Sequence, residues 1–226
     1  MGSGGKTEQI PALIRGDGFA DIRDLPCGYL CPHYLLFPER GAVTDQLECY
    51  LSLLVRYRRN INLTGTRDEG EIRSLIEDSL IPFPEEGRVL DLGTGGGLPG
   101  VPLLLMHPAL EMAFLDKSRK KMNTLSLILQ QLEIPFPLLL TGEASLFVTE
   151  YAGYFDAVVS RGMGETEFVL EQAAPFLKEG GLAWLWKPKG FILHDVQGKD
   201  YTFIAERSRD CSLCSVAVYR KRGGEG

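Results

Sequence analysis

The stretch Val89-Leu90-Asp91-Leu92-Gly93-Thr94-Gly95-Gly96-Gly97-Leu98-Pro99-Gly100 constrains this chain more than any other. An apolar run carrying one carboxylate enters a turn dense in glycine, and residues 101–106 then read as a helix. Glycine tolerates positive φ and lets another backbone or a ligand come close, while the first turn of a helix offers N–H groups without intrahelical partners. Strand, turn and helix in this order make a nucleotide-type site. A dinucleotide fingerprint requires glycine at the first, third and sixth positions, and the sixth residue counted from Gly93 is Leu98. The loop is therefore GxGxG, with Gly93, Gly95 and Gly97 as its cofactor-binding positions.

Charge narrows the ligand. A carboxylate at Asp91, two residues before the first glycine, repels a pyrophosphate and suits an ammonium group, directly or through water. Asp116 ends the next apolar segment, at the spacing of a carboxylate that accepts hydrogen bonds from ribose hydroxyls. A nicotinamide oxidoreductase is disfavoured by both Leu98 and Asp91.

The surrounding pattern is that of an α/β fold. Short apolar segments at 88–92, 112–116, 138–141, 155–160 and 182–186 alternate with helical stretches at 101–106, 118–132 and 165–177, the signature of a mostly parallel sheet covered on both faces. Segments 201–206 and 213–219 have no crossover helix between them and are expected to pair as a C-terminal antiparallel hairpin. Upstream, Leu47, Tyr50, Leu51 and Leu54 fall on one helical face with Thr44 or Asp45 as N-cap, and Ile72, Leu75, Ile76 and Leu80 repeat that spacing until Pro82. The organisation expected is an irregular segment over 1–40 and an N-terminal helical appendage over 41–82. A Rossmann-like α/β domain over 83–222 completes it.

A chain of 226 residues holds one such catalytic unit. Its five cysteines, an odd number without a secretory leader, point to reduced thiols and a cytoplasmic setting. Cys211 and Cys214 are spaced CxxC, and Cys27, Cys31 and His33 cluster, but a strand through 211–219 would put Cys211 and Cys214 on opposite faces. No metal is expected. No apolar run reaches the roughly 18 residues of a membrane span. The formal net charge of -6 opposes indiscriminate nucleic-acid binding. Four basic clusters stand out against it: Arg56, Arg58 and Arg59; Lys117, Arg119, Lys120 and Lys121; Lys187 and Lys189; and Arg220, Lys221 and Arg222.

Further motifs carry a resemblance. Asn60-Ile61-Asn62-Leu63-Thr64, Glu77-Asp78-Ser79-Leu80, the loop with Leu98-Pro99-Gly100, Leu115-Asp116-Lys117-Ser118 with Lys120-Lys121, Val159-Ser160-Arg161 and Leu185-Trp186-Lys187 together resemble the RsmG (GidB) family of bacterial methyltransferases. The resemblance spans residues 43–190. It implies S-adenosyl-L-methionine as cofactor, N7 of a guanine in small-subunit (16S) ribosomal RNA as target, the RNA or the small ribosomal subunit as partner, and a monomer. It also implies cofactor contacts at Gly93, Leu98, Ala144, Ser145 and Arg161. Departures occur where the family carries His at Glu77, Arg-Ala-Glu at Glu143-Ala144-Ser145 and Lys-Gly at Lys187-Pro188.

Asn62, Asp78 and Lys187 are the candidate catalytic residues, in positioning roles; turn capping, helix capping and simple solvation are the respective alternatives. Tyr57, Trp184 and Trp186 are read as packing residues. Two other functions remain open from the residues: a methyltransferase for a small molecule or protein, and a catalytically silent RNA- or ribosome-binding relative.

Overall fold

A computed structural model of the chain describes residues 40–135, 137–190, 201–208 and 213–223. The segment expected to be irregular, and with it Cys27, Cys31 and His33, lies outside the described residues, as does Cys211. Among the described residues seven strands form one sheet in the order β3-β2-β1-β4-β5-β7-β6. They are β1 (Glu86–Leu92), β2 (Ala109–Asp116), β3 (Leu138–Thr141), β4 (Phe155–Arg161), β5 (Leu177–Pro188), β6 (Tyr201–Ser208) and β7 (Cys214–Lys221). The first five are parallel, and β7 runs antiparallel between β5 and β6. The expected hairpin is present, with its second strand inserted next to β5.

Among the described residues six α-helices accompany the sheet: α1 (Arg40–Tyr57), α2 (Glu69–Glu77), α3 (Gly100–Met106), α4 (Arg119–Gln131), α5 (Val148–Tyr151) and α6 (Thr166–Ala173). Three expected boundaries are corrected. Helix α1 is already formed at Arg40, so Thr44 and Asp45 lie inside it and neither is its N-cap; Gly41 stands between Pro38 and Thr44 but costs only about 1 kcal/mol within a helix. Helix α2 stops at Glu77, short of Pro82, because Asp78 closes it as C-cap. Helix α6 ends at Ala173, before Pro175, whose missing N–H and fixed φ stop a helix earlier than the apolar periodicity does. A 3-10 turn (Ala144–Leu146) and the one-turn α5 follow β3 and carry too few residues to show a period.

Alternation along the strands splits the core. One face, with Val89, Phe114, Val159 and Trp184, packs under α1, α2, α3 and α4 through Tyr50, Leu54, Ile72, Val101 and Leu125. The other face, with Leu90, Leu92, Val158 and Leu185, packs under α6 and the turn after β3 through Leu170, Ala173 and Ala144. Burying one large apolar side chain contributes about 1.5–3 kcal/mol. Tyr50, Leu51 and Leu54, all buried, therefore hold α1 firmly on the sheet. Trp184 and Trp186 are fully enclosed, so both are packing residues.

The order places β1 between β2 and β4, with the helix after β1 on one face and the helix after β4 on the other. Ligands of open α/β sheets bind at such a switch point, outside the carboxyl ends of the strands. The ends of β1, β2 and β4 carry Leu92, Asp116 and Arg161.

Asp78 joins the first half of the chain to the last. Its Oδ2 accepts from the backbone N–H of Leu213 (3.0 Å) and of Cys214 (3.1 Å), and its carbonyl accepts from Trp186 Nε1 (2.9 Å). Asp78→Ala leaves two amides of the hairpin without their acceptor, and such charge-assisted bonds contribute about 1.5–3 kcal/mol. Urea denaturation is expected to show a loss on that order, and an unchanged midpoint would contradict the tie.

Candidate cofactor site

The loop after β1 is suspended from the end of β2. Gly93 and Thr94 both donate their N–H to the carbonyl of Leu115 (2.8 and 3.0 Å), and Gly95 donates to Asp116 Oδ2 (3.0 Å). Asp116 Oδ1 accepts from Ser118 N (2.8 Å), and Ser118 caps α4, so one carboxylate fixes both the loop and the next helix. Asp91 pins the loop from below: its Oδ2 accepts from the Thr94 hydroxyl (2.7 Å) and from Gly100 N (3.0 Å).

The first half of the chain lies on this loop. Leu63, in the segment after α1, accepts the N–H of Gly96 at its carbonyl (3.0 Å), while the Tyr50 hydroxyl donates to the carbonyl of Gly96 (2.9 Å). The glycines are needed for this closeness. A Cβ at Gly95, where φ is +59°, would stand 2.7 Å from the Leu63 carbonyl oxygen, and one at Gly97 would stand 2.5 Å from Val101 Cγ2. At Gly100 a Cβ would meet Asp91 Oδ2 and Phe114 Cε1, each at 2.6 Å. Gly93 differs: its Cβ would meet only the side chain of Met163, at 3.2 Å, on the loop after β4.

Electrostatics single out Asp91. It is fully buried, and its Oδ1 has no hydrogen-bond partner. Burial pushes its carboxyl up to about 7, and nearby Asp116 adds to that; the bonds from Thr94 and Gly100 and the Arg161 charge pull the other way. Arg161, at the end of β4, is itself pushed down by burial and pulled up by negative neighbours that include Asp91 and Asp78. Its Nη1 donates to the Leu75 carbonyl at 3.4 Å. A buried carboxylate oxygen without a donor is costly, and a cationic or N–H-bearing ligand group would relieve it. The two carboxylates at neighbouring strand ends therefore fit an amino group at Asp91 and hydroxyls at Asp116.

The remaining candidates occupy distinct places. Leu98 is buried in the core under α1. Ala144 is buried and Ser145 exposed in the 3-10 turn that opens after β3. Asn62 Oδ1 accepts from Gly65 N (2.8 Å) and caps the turn over the glycine loop. Lys187, nearly buried, donates to the Gly164 carbonyl at 2.6 Å, and burial lowers its pKa. Among the described residues no group of three or more His, Cys, Asp and Glu could hold a metal, and no helix is long and apolar enough to cross a membrane. A cavity of about 530 Å³ opens at the opposite edge of the sheet, between Arg88, Leu110, Glu133 and Leu138, away from these groups. Tyr50, Leu63 and Met163 were not legible as site residues. The first two carry ordinary core periodicity or sit between polar neighbours that draw attention, and Met163 has no sequence signal.

Two outcomes follow from this geometry. Gly100→Ala forces a methyl group onto Asp91 and Phe114 and is expected to cost about 1–3 kcal/mol, read as a lower thermal midpoint. Because the folded Asp91 has a raised pKa, its favourable contribution is complete below about pH 4 and is lost as pH rises through about 7. Asp91→Asn should remove that part of the pH dependence, measured as denaturation midpoints between pH 4 and 8; parallel curves for the two proteins would contradict the assignment.

Comparison with known proteins agrees with this geometry. The family model described as rRNA small subunit methyltransferase G (GidB) matches residues 43–222. The ribosomal RNA small subunit methyltransferase G of Pseudothermotoga lettingae is 36% identical over 184 residues, covering 80% of this chain and 79% of the relative. That of Moorella thermoacetica is 35% identical over 163 residues, covering 69% of this chain and 67% of the relative. Among solved structures, a mutant of MtNAS aligns with a TM-score of 0.54 at 13% identity, over 81% of this chain and 76% of that one, a likeness of fold alone. With the strand order, the glycine loop and the two carboxylates in place, the chain belongs to the rRNA small subunit methyltransferase G (GidB) family.

Proposed function

We propose that this protein transfers a methyl group from S-adenosyl-L-methionine to N7 of a guanine in small-subunit ribosomal RNA, in the cytoplasm. Family membership supports the RNA substrate, and the observation that carries the cofactor reading is the buried, unpartnered Oδ1 of Asp91 beside the glycine loop. When bound, the cofactor supplies an electrophilic methyl on a sulfonium centre. Asp91 would hold its amino group, Asp116 its ribose hydroxyls, and the 3-10 turn at Ala144 and Ser145 would flank its adenine. Arg161 and Gly93 would border the remaining approach, and Leu98, buried under α1, would support the loop from behind. A pyrophosphate at the same place would face two carboxylates, which is why a dinucleotide is not the ligand.

Guanine N7 presents an in-plane lone pair and no proton, so no general base is required. The one histidine among the described residues, His107, ends α3 at the far edge of the sheet, and burial lowers its pKa to about 4. Catalysis then rests on orientation, which can lower a barrier by roughly 7–11 kcal/mol. The candidate catalytic residues suit that role because each fixes backbone near the site. Asn62 holds the turn over the glycine loop, Lys187 holds the loop bearing Met163, and Asp78 holds the hairpin.

Incubating small subunits from cells lacking this protein with methyl-labelled cofactor, then mapping the label, tests the reading. One guanine labelled at N7 is expected. Label confined to protein or small molecules would favour the other methyltransferase reading, and cofactor binding without transfer would favour a silent relative. Asp116→Ala should weaken cofactor binding at least tenfold and leave the modified nucleotide unchanged, measured by calorimetric titration and the same mapping. An unaltered dissociation constant would remove Asp116 from the ribose role.

A further inference from the structure

The sequence carries four basic clusters, and the fold sorts them. Lys221 and its neighbours end β7, which runs antiparallel to β5 with Arg220 beside Leu182, so this cluster lies at the edge opposite the glycine loop. Lys221 Nζ is moreover turned onto the carbonyls of Ala174 and Leu177 (2.8 Å each). Lys187 is nearly buried and donates to Gly164. The first group faces away from the site, and the second offers one exposed cation, Lys189, too little by itself to hold an extended polyanion.

The other two clusters are brought together. Lys120 Nζ, in the first turn of α4, donates to the carbonyl of Asn60 just beyond α1 (3.0 Å), which joins the basic end of α1 to the basic start of α4. Arg56, Arg59, Lys117 and Arg119 are exposed around this junction. One end of the junction is Asp116, whose carboxylate holds Gly95; the other is Leu63, whose carbonyl holds Gly96. The cations thus border the cofactor loop. Acidic groups pair with some of these cations: Glu143 lies 3.5 Å from Lys117, Asp116 4.0 Å from Lys121 and Glu69 3.9 Å from Arg58, whereas no carboxylate lies within ion-pair distance of Arg56, Arg59 or Arg119 among the described residues.

The arrangement at α4 also runs against helix stability. Its first turn contains Arg119, Lys120 and Lys121 and no acidic residue, at the end where the helix dipole is already positive. Each cation there is unfavourable beside the dipole, and an anion shared among them reverses that.

We propose that the joined surface of Arg56, Arg59, Lys117 and Arg119 grips phosphates of the substrate RNA beside the cofactor loop, and that the cluster ending β7 takes no part. This rests on the RNA reading above. Each phosphate neutralised adds about 0.7–0.9 to the salt slope of binding.

The test compares wild type, the variant Arg56→Gln/Arg59→Gln/Lys117→Gln/Arg119→Gln and the control Arg222→Gln, using labelled small-subunit ribosomal RNA at several salt concentrations. The fourfold variant is expected to bind RNA about tenfold or more weakly at 0.15 M salt, with the slope reduced by about 3. Cofactor affinity should stay within twofold, and Arg222→Gln should match wild type. An unchanged slope in the fourfold variant overturns the proposal even if affinity falls, because a folding defect does not release counterions. A wild-type protein that binds no RNA at all would instead overturn the reading beneath it.

Discussion

The structure depends on a carboxylate that only half finds its partners. Asp91 is enclosed by the core, spends one oxygen on Thr94 and Gly100, and leaves the other without a donor. The first pair of bonds shapes the glycine loop and starts α3 in the right direction. The second oxygen stays buried without a donor, a cost that the amino group of the proposed cofactor would relieve. Asp116 repeats the device on the adjacent strand, less severely, by holding Gly95 and the cap of α4 with one side chain.

The N-terminal helices belong to this site as much as the sheet does. The Gly96 peptide is held from both sides, by Tyr50 at its carbonyl and Leu63 at the N–H. A nucleotide loop usually owes its shape to glycine alone; here α1 and the segment after it press on the loop, and the glycines make room for them. Substrate contacts at the segment after α1, as proposed above, would lie one hydrogen bond away from the cofactor loop.

The parallel framework, the terminal hairpin and the two carboxylates were legible in the sequence, because strand alternation, an acidic residue beside a glycine turn and strand-end spacing are local signals. What was not legible is tertiary. Glycine content announced a tight turn but not that Leu63 and Val101 occupy the freed space. Asp78 stood out as a polar residue near a helix end, yet its acceptors' partners, Leu213 and Cys214, are far away in the chain and carry no mark of the contact. Helix α1 began earlier than its cap-like Thr44 because a capping side chain does not by itself stop a helix, and Gly41 opposes the extension by only about 1 kcal/mol.

The central claim is that the cofactor's amino group completes Asp91 while its ribose lies on Asp116. A crystal structure of the protein soaked with S-adenosyl-L-methionine tests this directly. The account predicts an ammonium nitrogen within hydrogen-bond reach of Asp91 Oδ1, or one water away, and ribose hydroxyls on the Asp116 carboxylate. A cofactor bound elsewhere, with Asp91 Oδ1 still lacking a donor, would contradict it.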